Sequence, residues 1–178
     1  MIKKHRNPGQ LRDLINGALE CDNVTELSYY LSLSSGDIES LKTQLLLSSI
    51  VKFKENSAKF LIPISTYKYT HIIEIFRRLK LEKIKEAFIL MENLGIDLDL
   101  YVGYKMYLIR RIMEPYKLLD NPNRINVLYN LLSDGFFTKE DIYPVLDEYE
   151  RKHSGKKRVE GIFKEIKREL IISNILNL

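Results

Sequence analysis

The sequence predicts a mainly helical protein in which a short module of helices and one β-hairpin precedes an all-helical region. Apolar residues recur at i, i+3 and i+4 spacing along most of the chain, which is typical of amphipathic helices. Residues 50–62 instead alternate apolar and lysine side chains, which indicates strands. The pattern changes near residues 64–66, so two domains are expected, residues 1–66 and 67–178. A chain of 178 residues can bury a core without a metal or a disulfide.

Three short helices are predicted before the alternating stretch. The first covers residues 9–20 and the second residues 24–31. Ser35 is a good N-cap for the third, which runs to residue 48. Ile38, Leu41 and Leu45 define the buried face of this third helix, so Leu47 is expected on its exposed face.

The alternating stretch predicts a two-stranded β-hairpin. Val51 and Phe53 would point to one face of the first strand, and Lys52 and Lys54 to the other. Residues 55–57 form a plausible turn, and residues 58–62 alternate again, with Lys59 on the polar side. Three lysines would therefore lie on one face of the hairpin.

This order of elements resembles the winged helix-turn-helix superfamily over residues 8–64. Three short helices, the last two joined by a tight turn, are followed by a hairpin that would be the wing. The resemblance implies that the third helix enters the major groove of DNA and that the wing contacts phosphates. The DNA-binding residues expected from it are Ser35, Ser40, Lys42, Thr43, Lys52, Lys54, Asn56 and Lys59.

Helices, caps and breaks are predicted throughout residues 67–178. Gly95 suits the position just after a helix, and Thr138 with Asp141 forms a capping-box pattern. Pro115 would interrupt a helix or begin one, and Pro144 would kink a continuous helix. The last helix has an apolar stripe and an apolar tail that need burial, which favours a homodimer or a protein partner: Ile162, Phe163, Ile166, Leu170, Ile171, Ile172, Ile175, Leu176, Leu178.

The distribution of charge disfavours the simplest DNA-binding hypothesis. The formal net charge of +4 divides into +1 for residues 1–66, 0 for residues 67–153 and +3 for residues 154–178. DNA-binding domains are usually more basic than this. The third helix also begins with Asp37 and Glu39, which would repel phosphate. The densest basic segment, residues 151–158, lies outside the winged module and is either a phosphate contact or a solvated linker.

No motif indicates an enzyme, a metal site or a cofactor. His5, His71 and His153 are scattered, and their spacing does not suggest zinc. The single cysteine, Cys21, cannot form an internal disulfide, so nothing demands an oxidising compartment. No apolar run is long enough to span a membrane, and no secretory signal is recognised. The sequence therefore predicts a non-enzymatic cytoplasmic protein without a membrane partner.

Two functions remain as hypotheses. The first is a DNA-binding transcription regulator that binds duplex DNA through its winged helix and forms a homodimer through its C-terminal helices. The second is a non-enzymatic protein–protein interaction adaptor, including one from a mobile element or virus, whose winged module binds protein. The second hypothesis predicts an exposed apolar patch on the third helix or on the C-terminal helix.

Overall fold

The computed structural model describes residues 8–101 and 103–176, and α-helices dominate this part of the chain. The helices are α1 (Pro8–Glu20), α2 (Val24–Ser32), α3 (Ile38–Val51), α4 (Glu55–Leu61), α5 (Tyr69–Arg78), α6 (Ile84–Asn93), α7 (Tyr104–Ile112), α8 (Pro115–Asp120), α9 (Arg124–Ser133), α10 (Lys139–Lys152) and α11 (Lys157–Leu176). Short 3-10 turns occupy Ile62–Ile64, Leu81–Lys83 and Leu98–Leu100. The mainly helical class expected from the sequence is confirmed.

The predicted two-stranded hairpin is wrong, because the described residues contain no β-strand. α3 continues to Val51, and Phe53 then adopts a left-handed backbone with φ 57°. The amide of Lys54 donates to the Ser49 carbonyl at 2.8 Å, which closes a Schellman turn at the end of α3. α4 follows at once, so the segment predicted as a wing forms the end of α3, a turn and α4. The described residues therefore contain no wing.

The burial pattern explains why residues 55–61 are helical. The residues of α4 that face the core are Ser57, Ala58 and Leu61, and Leu61 follows the other two by four and three residues, which places all three on one face of a helix. In an extended chain, Phe60 and Ile62 would lie on the opposite side from Lys59, so this short stretch fits a strand equally well. Seven residues do not distinguish the two periods, and tertiary packing decides between them.

The chain folds into two compact units, residues 1–101 and 102–178. This division falls after Tyr101, whereas the change in sequence pattern placed a boundary after Thr66. The difference arises because α5 and α6, which follow residue 66, pack against α3 of the first unit.

α3 is the central helix of the first unit. It packs against α4, α5 and α6, while α1 packs against α2. Leu47, expected on an exposed face, is only 5% exposed, and Leu45 and Leu46 beside it are buried as well. A helix that is apolar on several faces is surrounded by other elements. α3 is therefore not the exposed recognition helix that the sequence indicated.

The second unit has its own core. α7 packs against α9 and α10, and α11 packs against α8 and α10. Phe137 and Phe163 are among its fully buried side chains. The ring of Phe163 lies 5.6 Å from that of Tyr149, an interaction that links α10 to α11.

Most of the predicted caps are confirmed. Gly95 has a positive φ of 71° after α6, and Thr138 and Asp141 form the capping box of α10. Pro115 begins α8, and Pro144 lies inside a continuous α10. The N-cap of α3 is Asp37 rather than Ser35, because its carboxylate accepts a hydrogen bond from the Ser40 amide at 3.0 Å.

No helix within the described residues combines the length and the apolar character needed to cross a membrane.

Candidate functional site

The residues predicted to bind DNA from the third helix have different environments. Ser35 and Ser40 are exposed at the start of α3. Lys42 forms an ion pair with Glu39 at 2.9 Å on the same helix. Thr43 is buried, and its hydroxyl donates to the Thr66 carbonyl at 2.8 Å. Thr43 therefore joins α3 to the chain before α5 instead of facing solvent.

Three of the residues assigned to the wing contact the C-terminal end of α1. The ammonium group of Lys52 pairs with the Glu20 carboxylate, and that of Lys54 donates to the Glu20 carbonyl. The side chain of Asn56 donates to Asp22 at 3.0 Å. The remaining lysine, Lys59, pairs with Glu55 at 2.6 Å within α4. These lysines have acidic or carbonyl partners inside their own unit, so little positive potential remains there for phosphate.

Asp22 caps α4 from a distance in the sequence. Its carboxylate accepts hydrogen bonds from the backbone amides of Asn56 at 3.2 Å and Ser57 at 2.7 Å. The residue at the N-cap of α4 is Lys54, whose side chain has no acceptor for these amides. Burial raises the pKa of Asp22, but the hydrogen bonds from Ser57 and Asn56 outweigh it and hold the pKa below its ordinary value. This interaction fixes α4 against the end of α1.

The basic segment 151–158 spans the end of α10, a turn and the start of α11. Lys152 pairs with Glu148 at 2.6 Å, and Lys156 donates to the Tyr116 hydroxyl at 3.0 Å. His153 lies edge-on to the rings of Tyr116 and Tyr149. The segment therefore packs partly on aromatic side chains rather than projecting as a free basic loop.

A groove between α9 and α11 is the candidate binding site of the second unit. α9 contributes Ile125 and Tyr129, which are one turn apart on one face. Leu118 of α8 and Pro122 of the following loop complete its apolar surface. The four lining residues of α11 follow the i, i+3, i+4, i+7 pattern of a single helical face, and they are Ile162, Glu165, Ile166 and Glu169.

The groove is open and small, with a volume of 240 Å³. Pockets for drug-sized ligands usually measure about 300–1,000 Å³. Leu118 and Ile166 are buried at its base, whereas Ile125 and Ile162 are half-buried. A cavity of this size and polarity suits a bulky apolar side chain that enters from outside.

Acidic groups line the α11 side of this groove. The Tyr129 hydroxyl lies close enough to the Glu169 and Glu165 carboxylates to interact with both. Burial, followed by these two carboxylates, raises the pKa of Tyr129 well above its ordinary value of 10.0. Glu165 and Glu169 are exposed and form no ion pair with any residue that the structure describes.

The residues that line the groove are mainly apolar. Its polar side chains are Tyr129, Glu165 and Glu169, and the lining includes no serine, cysteine, histidine or lysine. In the described part of the chain, no group of three or more His, Cys, Asp or Glu is placed to hold a metal ion. An apolar floor with two carboxylates at one side favours a ligand that is apolar and positively charged.

Part of this site had a signal in the sequence. Ile162 and Ile166 belong to the apolar stripe predicted for the last helix, and Glu165 and Glu169 have the i, i+4 spacing of one face. The opposite wall could not be inferred, because α9 and α11 are far apart in the sequence and no sequence pattern shows that they pack together. The same helix carries two exposed isoleucines beyond the groove, Ile171 (54% exposed) and Ile172 (41% exposed).

Comparisons with models of known protein families, with curated proteins and with solved structures found no match to this chain.

Proposed function

We propose that this protein is a non-enzymatic protein–protein interaction adaptor, and that the groove between α9 and α11 binds a segment of its partner. The observation that carries this proposal is the open apolar groove, in which half-buried Ile162 and buried Ile166 of α11 are followed along the helix by the exposed Ile172. Ile172 lies three residues beyond Glu169 and therefore extends the same helical face. Exposed apolar surface that continues from a groove is typical of a protein-binding site.

The positions of the lysines support a protein partner over DNA. A DNA-binding surface needs several cations directed at the phosphate backbone. Lys52 and Lys54 contact the end of α1, and Lys59 pairs with Glu55. The hairpin that would have presented them is absent from the described residues. Binding of duplex DNA by the intact protein across a salt series tests the competing hypothesis directly, since phosphate contacts give a steep salt dependence.

A peptide-display selection on the intact protein tests the proposed function. Peptides that are enriched on the wild type should bind an Ile162→Asp variant at least about tenfold more weakly, because a charged group would lie in the apolar groove. Ile171→Asp is the matched control, since it introduces the same group on an exposed face of the same helix. Amide NMR spectra should place the peptide-induced shifts on α9 and α11.

Two results would contradict the proposal. The first is a selection that enriches no peptide above background on a folded wild-type protein. The second is a set of peptides whose affinity is the same for Ile162→Asp and wild type. Circular dichroism of both variants would establish that they retain the helical fold.

A further inference from the structure

The charged side chains beside the groove indicate which kind of ligand it would bind. Glu165 and Glu169 lie one helical turn apart on α11 and face the same side of the groove. Both are exposed, and neither has a cationic partner among the described residues. Other carboxylates of this unit do have such partners, as Glu148 pairs with both Arg110 and Lys152. The groove therefore keeps an uncompensated negative charge beside an apolar surface.

Tyr129 lies beside these carboxylates. Its ring forms part of the apolar wall, and burial, followed by the nearby Glu169 and Glu165, raises the pKa of its hydroxyl. A neutral phenol does not cancel the charge of either carboxylate, so both charges remain available to a cationic ligand.

The surroundings favour a helical occupant. The groove is formed by side chains of α9 and α11, and no free strand edge is available in the described residues for an added β-strand. Peptides that bind between helices usually do so as amphipathic helices, with apolar anchors at i, i+3, i+4 and i+7. The Glu165–Glu169 spacing matches basic residues placed one turn apart on such a helix.

We infer that the groove between α9 and α11 binds a basic amphipathic helix of a partner protein. Apolar side chains of that helix enter between Ile125 and Ile162, and its lysine or arginine side chains pair with Glu165 and Glu169. This inference rests on the proposed function and specifies its partner. Anionic ligands such as nucleic-acid phosphates are repelled by the same two carboxylates.

Three designed peptides with identical apolar residues test the inference on the intact protein. They carry Lys, Gln or Glu at the positions flanking the apolar stripe, and their affinities are measured by fluorescence anisotropy. At low salt the Lys peptide should bind about tenfold more tightly than the Glu peptide, and the difference should shrink as salt screens the charges.

Charge variants of the protein test whether the two groove carboxylates cause the preference for the Lys peptide. Glu165→Gln combined with Glu169→Gln removes both charges and keeps side chains of nearly the same shape, so the Lys and Glu peptides should bind almost equally. Glu165→Lys combined with Glu169→Lys should reverse the order. Glu92→Gln combined with Glu140→Gln changes the net charge by the same amount as the first pair, at exposed positions outside the groove, and should leave the preference intact.

The outcomes separate this inference from the proposed function. If all three peptides bind equally and Ile162→Asp weakens each of them, the adaptor function stands and the basic partner is wrong. If the Glu peptide binds best, the inference is likewise overturned. If none binds the folded protein, the groove is not a helix-binding site and both proposals lose their support. Sedimentation of the protein alone tests a second copy as the occupant, since a dimer that Ile162→Asp dissociates would also overturn the inference.

Discussion

Asp22 combines an unusual backbone with a structural role for its side chain. Its φ of 53° lies in the left-handed region, where aspartate is tolerated better than most residues. It follows the last turn of α1, and the amide of Asn23 donates to the Ala18 carbonyl at 2.9 Å, as in a Schellman motif. The same residue ends one helix through its backbone and caps another through its carboxylate.

Substitutions at Asp22 should separate these two roles. Asp22→Gly should lower the free energy of unfolding by about 1 kcal/mol, because the cap of α4 is lost while the left-handed backbone is relieved. Asp22→Ala should cost about 1–2 kcal/mol more, since alanine is strained there. Asp22→Asn keeps an acceptor and should cost least. Urea unfolding measures all three, and a glycine variant as stable as the wild type would contradict the capping role.

The lowered pKa of Asp22 gives this contribution a pH dependence. A carboxyl whose pKa is depressed by folding stabilises the protein above its unfolded pKa, and this stabilisation is lost as pH falls through the folded pKa. The stability difference between wild type and Asp22→Asn should therefore be largest above the ordinary value of 3.8 and should decline below it. A difference that stays constant from pH 7 to pH 2.5 would be inconsistent with an ionised cap.

Residue-level prediction from the sequence succeeded where the interactions are local. Thr138 and Asp141 are three residues apart, and Gly95 directly follows its helix, so their caps could be inferred from spacing alone. Asp22 and Ser57 are far apart in sequence, and no periodicity relates them. For the same reason, the sequence does not show that Ile125 and Ile162 lie on opposite walls of one groove.

At the scale of the element, α3 illustrates why the resemblance to a winged helix failed. The spacing of Leu41 and Leu45 predicts a helix with one buried face, yet Leu46, Leu47 and Ile50 are buried as well. A run of apolar residues without a clear polar face fits a central helix. The first three helices lie close to their predicted positions because each has a periodic stripe and a recognisable end, whereas α4 falls where a strand was expected.

Leu47→Ala should distinguish a central α3 from an exposed one. Truncating a buried leucine leaves a cavity and should lower the free energy of unfolding by about 2–5 kcal/mol. Gln44→Ala, on an exposed position of the same helix, is the control and should change stability by no more than about 0.5 kcal/mol. Equal effects of the two substitutions in urea unfolding would place Leu47 in solvent.

Pro144 is expected to destabilise α10, because it lies in the interior of the helix. It lies well inside Lys139–Lys152 and is exposed, and without an amide it cannot donate to the Glu140 carbonyl. Proline inside a helix costs about 3 kcal/mol, which is offset by about 0.4–1 kcal/mol from its stiffening of the unfolded chain. Pro144→Ala should therefore stabilise the protein by about 2 kcal/mol.

Pro115→Ala is the contrasting control for Pro144→Ala. Pro115 is buried at the first position of α8, where proline is favoured, so its replacement should lower stability. Thermal unfolding followed by circular dichroism should move the two midpoints in opposite directions. A lower midpoint for Pro144→Ala would mean that the proline relieves strain in α10.

At the scale of the whole molecule, each of the two compact units has its own buried aromatic residues. Phe76 and Phe88 lie 5.1 Å apart in the first unit, and Phe163 packs on Tyr149 in the second. The sequence pattern changes near residue 66 because the apparently alternating stretch of residues 50–62 ends just before it. Composition does not report that α5 and α6 complete the core around α3, which is why the structural boundary lies later in the chain.

Expressing the chain in pieces tests which boundary separates folding units. Residues 102–178 alone should be helical and should unfold cooperatively in urea, with a stability of about 3–5 kcal/mol or less because the unit is small. Residues 1–66 alone should fail to fold cooperatively, since removing α5 and α6 exposes the apolar face of α3 to water. Residues 1–101 retain those helices and should fold. If residues 1–66 instead gave a sharp unfolding transition, α3 would need neither α5 nor α6, and the boundary indicated by the sequence would be the better description of how this chain folds.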